Sequence, residues 1–195
     1  MLQSLLASLR ITAATMAICV AGYSAAVWAF AQTVTPFTAN GSILMDPARN
    51  PIGSRQIAQG FSQPGYFWSR PSAVDYNAAG AAGSNRSPTS EDLKARAAET
   101  VAAYGATPDN PLSADLAAAS GAGLDPHISE EGALYQVPRV AEARKLDPVK
   151  LTELVNQQAR PPGAFLSNGR IVNVLDLNRA LDQLEDTQKQ VVAGQ

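Results

Sequence analysis

The sequence predicts a helix-dominant α+β fold on one membrane anchor: an N-terminal tip and transmembrane helix over residues 1–33, then a single soluble domain over residues 34–195. Three observations lead there. From Ile11 to Ala31 there is no charged side chain, and the next charge after Arg10 is Asp46. Further on, apolar residues recur at helical spacing in several stretches, while Ser42–Met45 and the β-branched Arg170–Val174 read as strands. The rest of the chain, roughly 160 residues, suffices for one domain with a real core and is short for two.

The stretch ITAATMAICVAGYSAAVWAFA is about 21 residues at ~1.5 Å of rise, or roughly 30 Å, the hydrocarbon thickness of a bilayer. Within lipid, a lone segment satisfies its backbone only as a helix. Tyr23 and Trp28 lie toward the far end, at headgroup level. A cleaved signal peptide would use Arg10 as its basic region and Ala29-Phe30-Ala31 as its cleavage site, but the apolar run exceeds the usual ~7–15 residues. A buried helix of a soluble protein would show a polar stripe, and this one is apolar all round. Arg10 precedes the helix and no Lys or Arg lies between Thr33 and Met45, so positive-inside bias puts the N-terminus in the cytoplasm and the body outside.

The formal net charge is −2 and Lys and Arg form no run, which argues against a nucleic-acid or anionic-lipid surface. The single cysteine, Cys19, lies in the apolar helix. No disulfide can therefore form within the outer domain, which stands on packing alone.

After the helix, Val34–Gly41 reads as an extended exit, with Pro36 blocking helix continuation. Ser42–Met45, the turn Asp46-Pro47-Ala48-Arg49-Asn50 and the run resuming at Ile52 suggest a short hairpin, and Ser54 caps a brief helix through Gln59. Tyr66–Ala73 with Asp75-Tyr76-Asn77 and Gly83-Ser84-Asn85 is either a core-facing strand with an ordered loop or a partner surface. There, Arg70 would stack on Trp68 or Tyr66, or clamp an anion. Ser87–Asp92 starts an amphipathic helix from about Pro88 to Ala103, with Leu93, Ala97, Val101 and Tyr104 on one face and Gly105 as its stop. Ser113–Ala119 is a short helix or a strand. Ser129 opens a helix whose stripe is Leu134, Val137, Val140 and Ala141, with Arg139, Glu142 and Arg144 toward water and Pro138 expected to kink or split it. Asp147-Pro148 caps a third helix with Leu151, Leu154 and Val155 inward. The last, from Asp176 to about Asp186, carries Leu177, Leu181 and Leu184, and the tail after Thr187 should fray.

Ser120–Ser129, SGAGLDPHIS, is the densest set of glycine and polar residues. A hydrolase on a membrane anchor would use Ser120 as nucleophile, His127 as base and Asp125 as its orienter, but the glycine spacing of a nucleophile elbow is missing. His127 is the only histidine and has no cysteine or carboxylate cluster at ligand spacing, so no metal is expected. Neither GxxxxGK[ST] nor GxGxxG occurs.

The ordered blocks GSRQIAQGF (53–61), YFWSRPSAVDYNA (66–78), GSN (83–85), SGAGLDPHIS (120–129), QVPRVAEAR (136–144) and VNVLDLNRALD (172–182) resemble the C-subunit family of the Kdp potassium-transporting P-type ATPases, over nearly the whole chain. Two departures are Ala82, where the family often has glycine, and Ala122, where it has serine. The resemblance implies a bacterial inner-membrane complex with a channel-like A subunit, an ATP-hydrolysing B subunit and a small F subunit. The C subunit itself would be non-catalytic, a chaperone raising the B subunit's affinity for ATP, with no firmly bound cofactor of its own. A periplasmic body cannot touch cytoplasmic ATP, so such an effect would be a coupling between distant sites. On this resemblance the helix packs on a partner through Ala13, Ala14, Ala17, Ala21, Gly22 and Ala25, and Tyr66, Trp68, Arg70, Gly121, Asp125 and His127 face partners over the potassium entrance. Were ATP bound directly, Gln136 and Arg139 would be the candidates.

Overall fold

Thirty-three consecutive helical residues, Leu2–Val34, open the chain. The helix begins earlier than the uncharged run because Leu2, Leu5, Leu6 and Leu9 already recur at helical spacing. It comprises α1 (Leu2–Met16), a π-helical segment (Ala17–Gly22) and α2 (Tyr23–Val34), and none of its residues is buried. Two of its hydroxyls are satisfied within the helix: Thr15 and Thr33 donate to the carbonyls of Ile11 and Ala29, each at 2.9 Å. At ~1.5 Å per residue the rod is about 50 Å long, more than the ~30 Å a bilayer core requires.

The computed structural model describes residues 1–163 and 168–193, and its chain forms two compact units, Met1–Ile43 and Leu44–Gln195. Pro36 does end the long helix, yet the exit is not extended. A proline's fixed φ suits a first helical turn, and α3 (Pro36–Ala39) begins on it.

Next, β1 (Ile43–Met45) and β2 (Pro51–Ser54) pair as the expected hairpin, closed where Asp46 accepts from the Asn50 backbone N–H at 2.7 Å. No helix follows Ser54. Its hydroxyl instead accepts from the Gln56 N–H at 3.1 Å, a local turn that competes with helix formation. Tyr66–Ala73 joins no sheet. Helix α4 (Glu91–Ala103) starts three residues later than Pro88, and α5 (Ala114–Ala117) shows the ambiguous Ala-rich stretch to be a single helical turn.

The core is built by β3 (His127–Ser129), α6 (Glu130–Arg144), α7 (Pro148–Gln158), β4 (Ile171–Asn173) and α8 (Val174–Ala193). β3 and β4 are antiparallel with Ile128 opposite Val172. Ser129 caps α6 by accepting from the Gly132 N–H at 2.9 Å, and Asp147 caps α7 from the Val149 N–H at the same distance. α6 runs unbroken through Pro138, whose ring lies on the exposed side of the helix. α8 continues past Thr187 to Ala193 instead of fraying there. Ile128, Val137, Val140, Leu151, Val155, Val172, Leu177 and Leu181 form one buried cluster with Phe67 and Leu116. Each such side chain contributes about 1.5–3 kcal/mol of burial.

Candidate partner-binding surfaces

The segment Tyr66–Arg70 joins no sheet, and its backbone partners are side chains in place of a strand. The Phe67 N–H donates to Asn178 Oδ1 at 2.8 Å and the Phe67 carbonyl accepts from Asn178 Nδ2 at 2.9 Å. One position on, the Trp68 N–H donates to Gln136 Oε1 at 2.7 Å and its carbonyl accepts from Gln136 Nε2 at 3.2 Å. Two buried amides, from α8 and α6, thus supply the donor and acceptor pattern of a missing strand. This leaves Phe67 inside the core and Tyr66 and Trp68 flanking it.

The two flanking aromatics are covered by arginines that sequence periodicity assigned to water. The Arg139 guanidinium lies 3.9 Å from the Trp68 ring centroid and Arg144 lies 4.4 Å from that of Tyr66. Arg139 also donates to the carbonyls of Pro64 and Tyr66 and to Gln136 Oε1. Burial lowers its pKa, against an opposing pull from Tyr104. Arg144 bridges the Gly65 carbonyl, Asp182 and Glu185. Burial works to lower its pKa, and the two carboxylates outweigh that and raise it. Trp68 meets Tyr104 edge-on at 5.2 Å, and burial pushes the Tyr104 phenol well above its ordinary pKa.

Arg70 stacks on neither aromatic. It turns the other way, donating to the Asp115 carbonyl at 3.2 Å and pairing with Asp125 at 3.0 Å. Asp125 also accepts from the His127 N–H at 3.0 Å and sits 3.5 Å from His127 Nδ1. Its carboxyl is held below its ordinary pKa, first by the His127 side chain against an opposing burial effect, then by the His127 backbone and Arg70. Ser120 is 3% exposed and its hydroxyl accepts from the Asp125 N–H at 3.4 Å, so it is a buried structural serine and not a presented nucleophile.

The glycines of this loop permit a close crossing of two segments. Gly123 has φ of +68°, and a Cβ there would fall 2.6 Å from Val74 Cγ2. A Cβ on Gly83 would fall 2.7 Å from the Gly121 carbonyl oxygen. Between them the Ala82 N–H donates to the Ala122 carbonyl at 3.0 Å, so these two alanines meet each other at the crossing. Gly121 itself is exposed.

The structure therefore gathers Tyr66, Trp68, Gln136 and Arg139 into one cluster and Arg70, Asp125 and His127 into a second, while Gly121 lies apart at the crossing with Gly83. Gln136 is 1% exposed, with its amide spent on Trp68, Arg139 and the Gly132 carbonyl. Ala17, Ala21 and Gly22 lie in the first unit, inside the π-helical segment. Alanine recurs there every four residues, at 13, 17, 21, 25 and 29. Four residues overshoot an α-helical turn by about 40°, and the wider π turn takes part of that drift back, holding the alanines closer to one face. Among the described residues, no three His, Cys, Asp or Glu side chains come together as metal ligands.

A sequence profile described as "KdpC: K+-transporting ATPase, c chain" matches residues 5–183. The chain belongs to this family. It is 61% identical over 184 residues to the "Potassium-transporting ATPase KdpC subunit" of Parvibaculum lavamentivorans, covering 94% of this chain and 98% of the relative. The KdpC subunit of Cereibacter sphaeroides is 42% identical over 160 residues, covering 82% and 86% of the two chains. That of Synechocystis sp. is 40% identical over 193 residues, covering 93% and 99%. Membership of the KdpC family, the mixed α+β fold and the N-terminal apolar helix agree with the expectations from sequence.

Proposed function

We propose that the chain is the non-catalytic accessory subunit of an ATP-driven potassium-uptake complex, assembling with the channel-like A, ATP-hydrolysing B and small F subunits. The single observation that carries this is the asymmetry of its surfaces. An apolar helix of 33 residues has no buried residue within the chain, while the polar clusters of the domain close on themselves. Such a molecule acts by contact. The helix crosses the bacterial inner membrane with Arg10 on the cytoplasmic side and the body in the periplasm, and packs on the A subunit through Ala17, Ala21 and Gly22. Tyr66, Trp68, Arg70, Gly121, Asp125 and His127 belong to the surfaces turned toward partners above the potassium entrance.

The chaperone effect on ATP affinity is then indirect. Gln136 and Arg139 are committed to the 64–68 backbone, which supports coupling through the assembly over direct nucleotide contact. Gly22→Leu tests the helix contact. The variant should co-purify with the A and B subunits far less than the native chain does, and undiminished retention contradicts the proposal.

A further inference from the structure

The helical rod changes its pattern at Arg10. Beyond it, Ile11–Ala31 is uncharged and apolar on every side. Before it, at about 100° of turn per residue, Leu2, Leu5, Leu6 and Leu9 fall within an arc of about 100°. Gln3, Ser4 and Ser8 lie outside that arc, and Arg10 stands at its border, beside Leu6. All four leucines are exposed, and the Ser8 hydroxyl donates to the Ser4 carbonyl at 2.9 Å. No acidic side chain occurs before Asp46, so the rod itself offers Arg10 no counter-ion.

These two patterns give the rod sides of unequal apolar length. On the leucine side apolar residues run from Leu2 to Ala31, about 45 Å at ~1.5 Å per residue, and on the opposite side they begin at Ile11, which leaves about 30 Å. A bilayer core of ~30 Å suits the short side of an upright rod. The headgroup layer adds only about 5–8 Å per leaflet, so an upright rod would carry Leu2 and Leu5 through it into water. Apolar length in excess of the core is accommodated by tilting, up to about 40°. Here the tilt has a direction. Only a lean toward the leucine side lowers the leucines to the acyl boundary while Gln3, Ser4 and Ser8 stay in water. The same lean holds Arg10 at phosphate depth, where its guanidinium meets paired oxygen acceptors.

We propose that the Leu2–Leu9 face is a lipid-contacting surface, lying along the headgroup–acyl boundary of the leaflet on the Arg10 side and setting the direction in which the rod leans. Its occupant is phospholipid, because one-sided polarity matches a medium that is oil on one side and water on the other. A partner helix is the poorer occupant. Close helix approach in a membrane takes small residues, which on this side begin only at Ala13, and the leucine arc has none. A second copy is poorer too, since it brings a second Arg10 and no acid to the same contact. The proposal rests on the membrane crossing proposed above and adds what the tip touches and how the rod is inclined.

The test uses the full-length chain with Cys19→Ala and a single nitroxide label at Leu5→Cys, Ser4→Cys or Val20→Cys, in vesicles of phosphatidylethanolamine and phosphatidylglycerol. Oxygen concentrates in the acyl phase and a nickel chelate in water. The ratio of their collision rates with the label should be at least about fivefold higher for Leu5→Cys than for Ser4→Cys. Equal ratios overturn the proposal. In the assembled complex, the photo-crosslinking variant Leu5→p-benzoyl-phenylalanine should capture phospholipid; capture of a partner subunit, of a second copy or of nothing overturns it. If Val20→Cys also meets mainly the nickel chelate, the rod does not cross the bilayer at all, a failure distinct from loss of this contact alone.

Discussion

The N-terminal rod and the folded body use their polar and apolar groups in opposite ways. In Leu2–Val34 hydrogen bonding is local and apolar side chains point outward on every face, so the rod's specificity must come from what packs on it. In the body, contacts reach across the chain: Asn178 holds Phe67 from 111 residues away, and Arg55 donates to Asp176 from 121. The difference teaches that changes in the rod should alter assembly at constant domain stability, whereas changes in the body's bridges should alter the fold first.

The largest effect that would sharpen this contrast is Phe67→Ala. Phe67 is fully buried in the core cluster, and its truncation should cost about 3–5 kcal/mol, read as a lower denaturation midpoint of the full chain. Next comes Asn178→Leu, which fills the same space but strands the Phe67 N–H and carbonyl. The expected loss is about 1–3 kcal/mol per unpaired group. A stable Asn178→Leu would mean that the amide clamp is incidental.

A smaller effect follows pH. Asp125 titrates below its ordinary 3.8 when folded, so its contribution is fully present above that value and is lost as pH falls through the folded pKa. Acid unfolding should therefore draw on Asp125 below about pH 4, and Asp125→Asn should flatten that part of the stability profile. The smallest is Lys94→Ala. Its partner Glu91 is even more exposed than Lys94 itself, so the change should stay within about 0.5 kcal/mol.

What the sequence disclosed was local. The Asp147-Pro148 cap of α7, the Ser129 cap of α6 and the hairpin around Asp46–Asn50 each depend on residues within a turn, and each is present. Arg139 and Arg144 were assigned to water because helical periodicity records only which face a residue occupies. Their targets, Trp68 and Tyr66, lie some seventy residues away, and a long stem lets a cation fold back over an aromatic. Tyr66–Arg70 was legible as extended, but a partner made of two amides on two helices leaves no strand pattern to read. Gln136 in an otherwise apolar stripe was its one signal: a buried amide implies a backbone to satisfy.

The most direct measurement places the body relative to the bilayer. Val149→Cys puts a thiol at a site that is 63% exposed on the domain. A membrane-impermeant maleimide added to intact spheroplasts should label it as fully as in lysed ones. Labelling only after lysis would place the body in the cytosol and contradict a subunit that works by touching its neighbours above the potassium entrance.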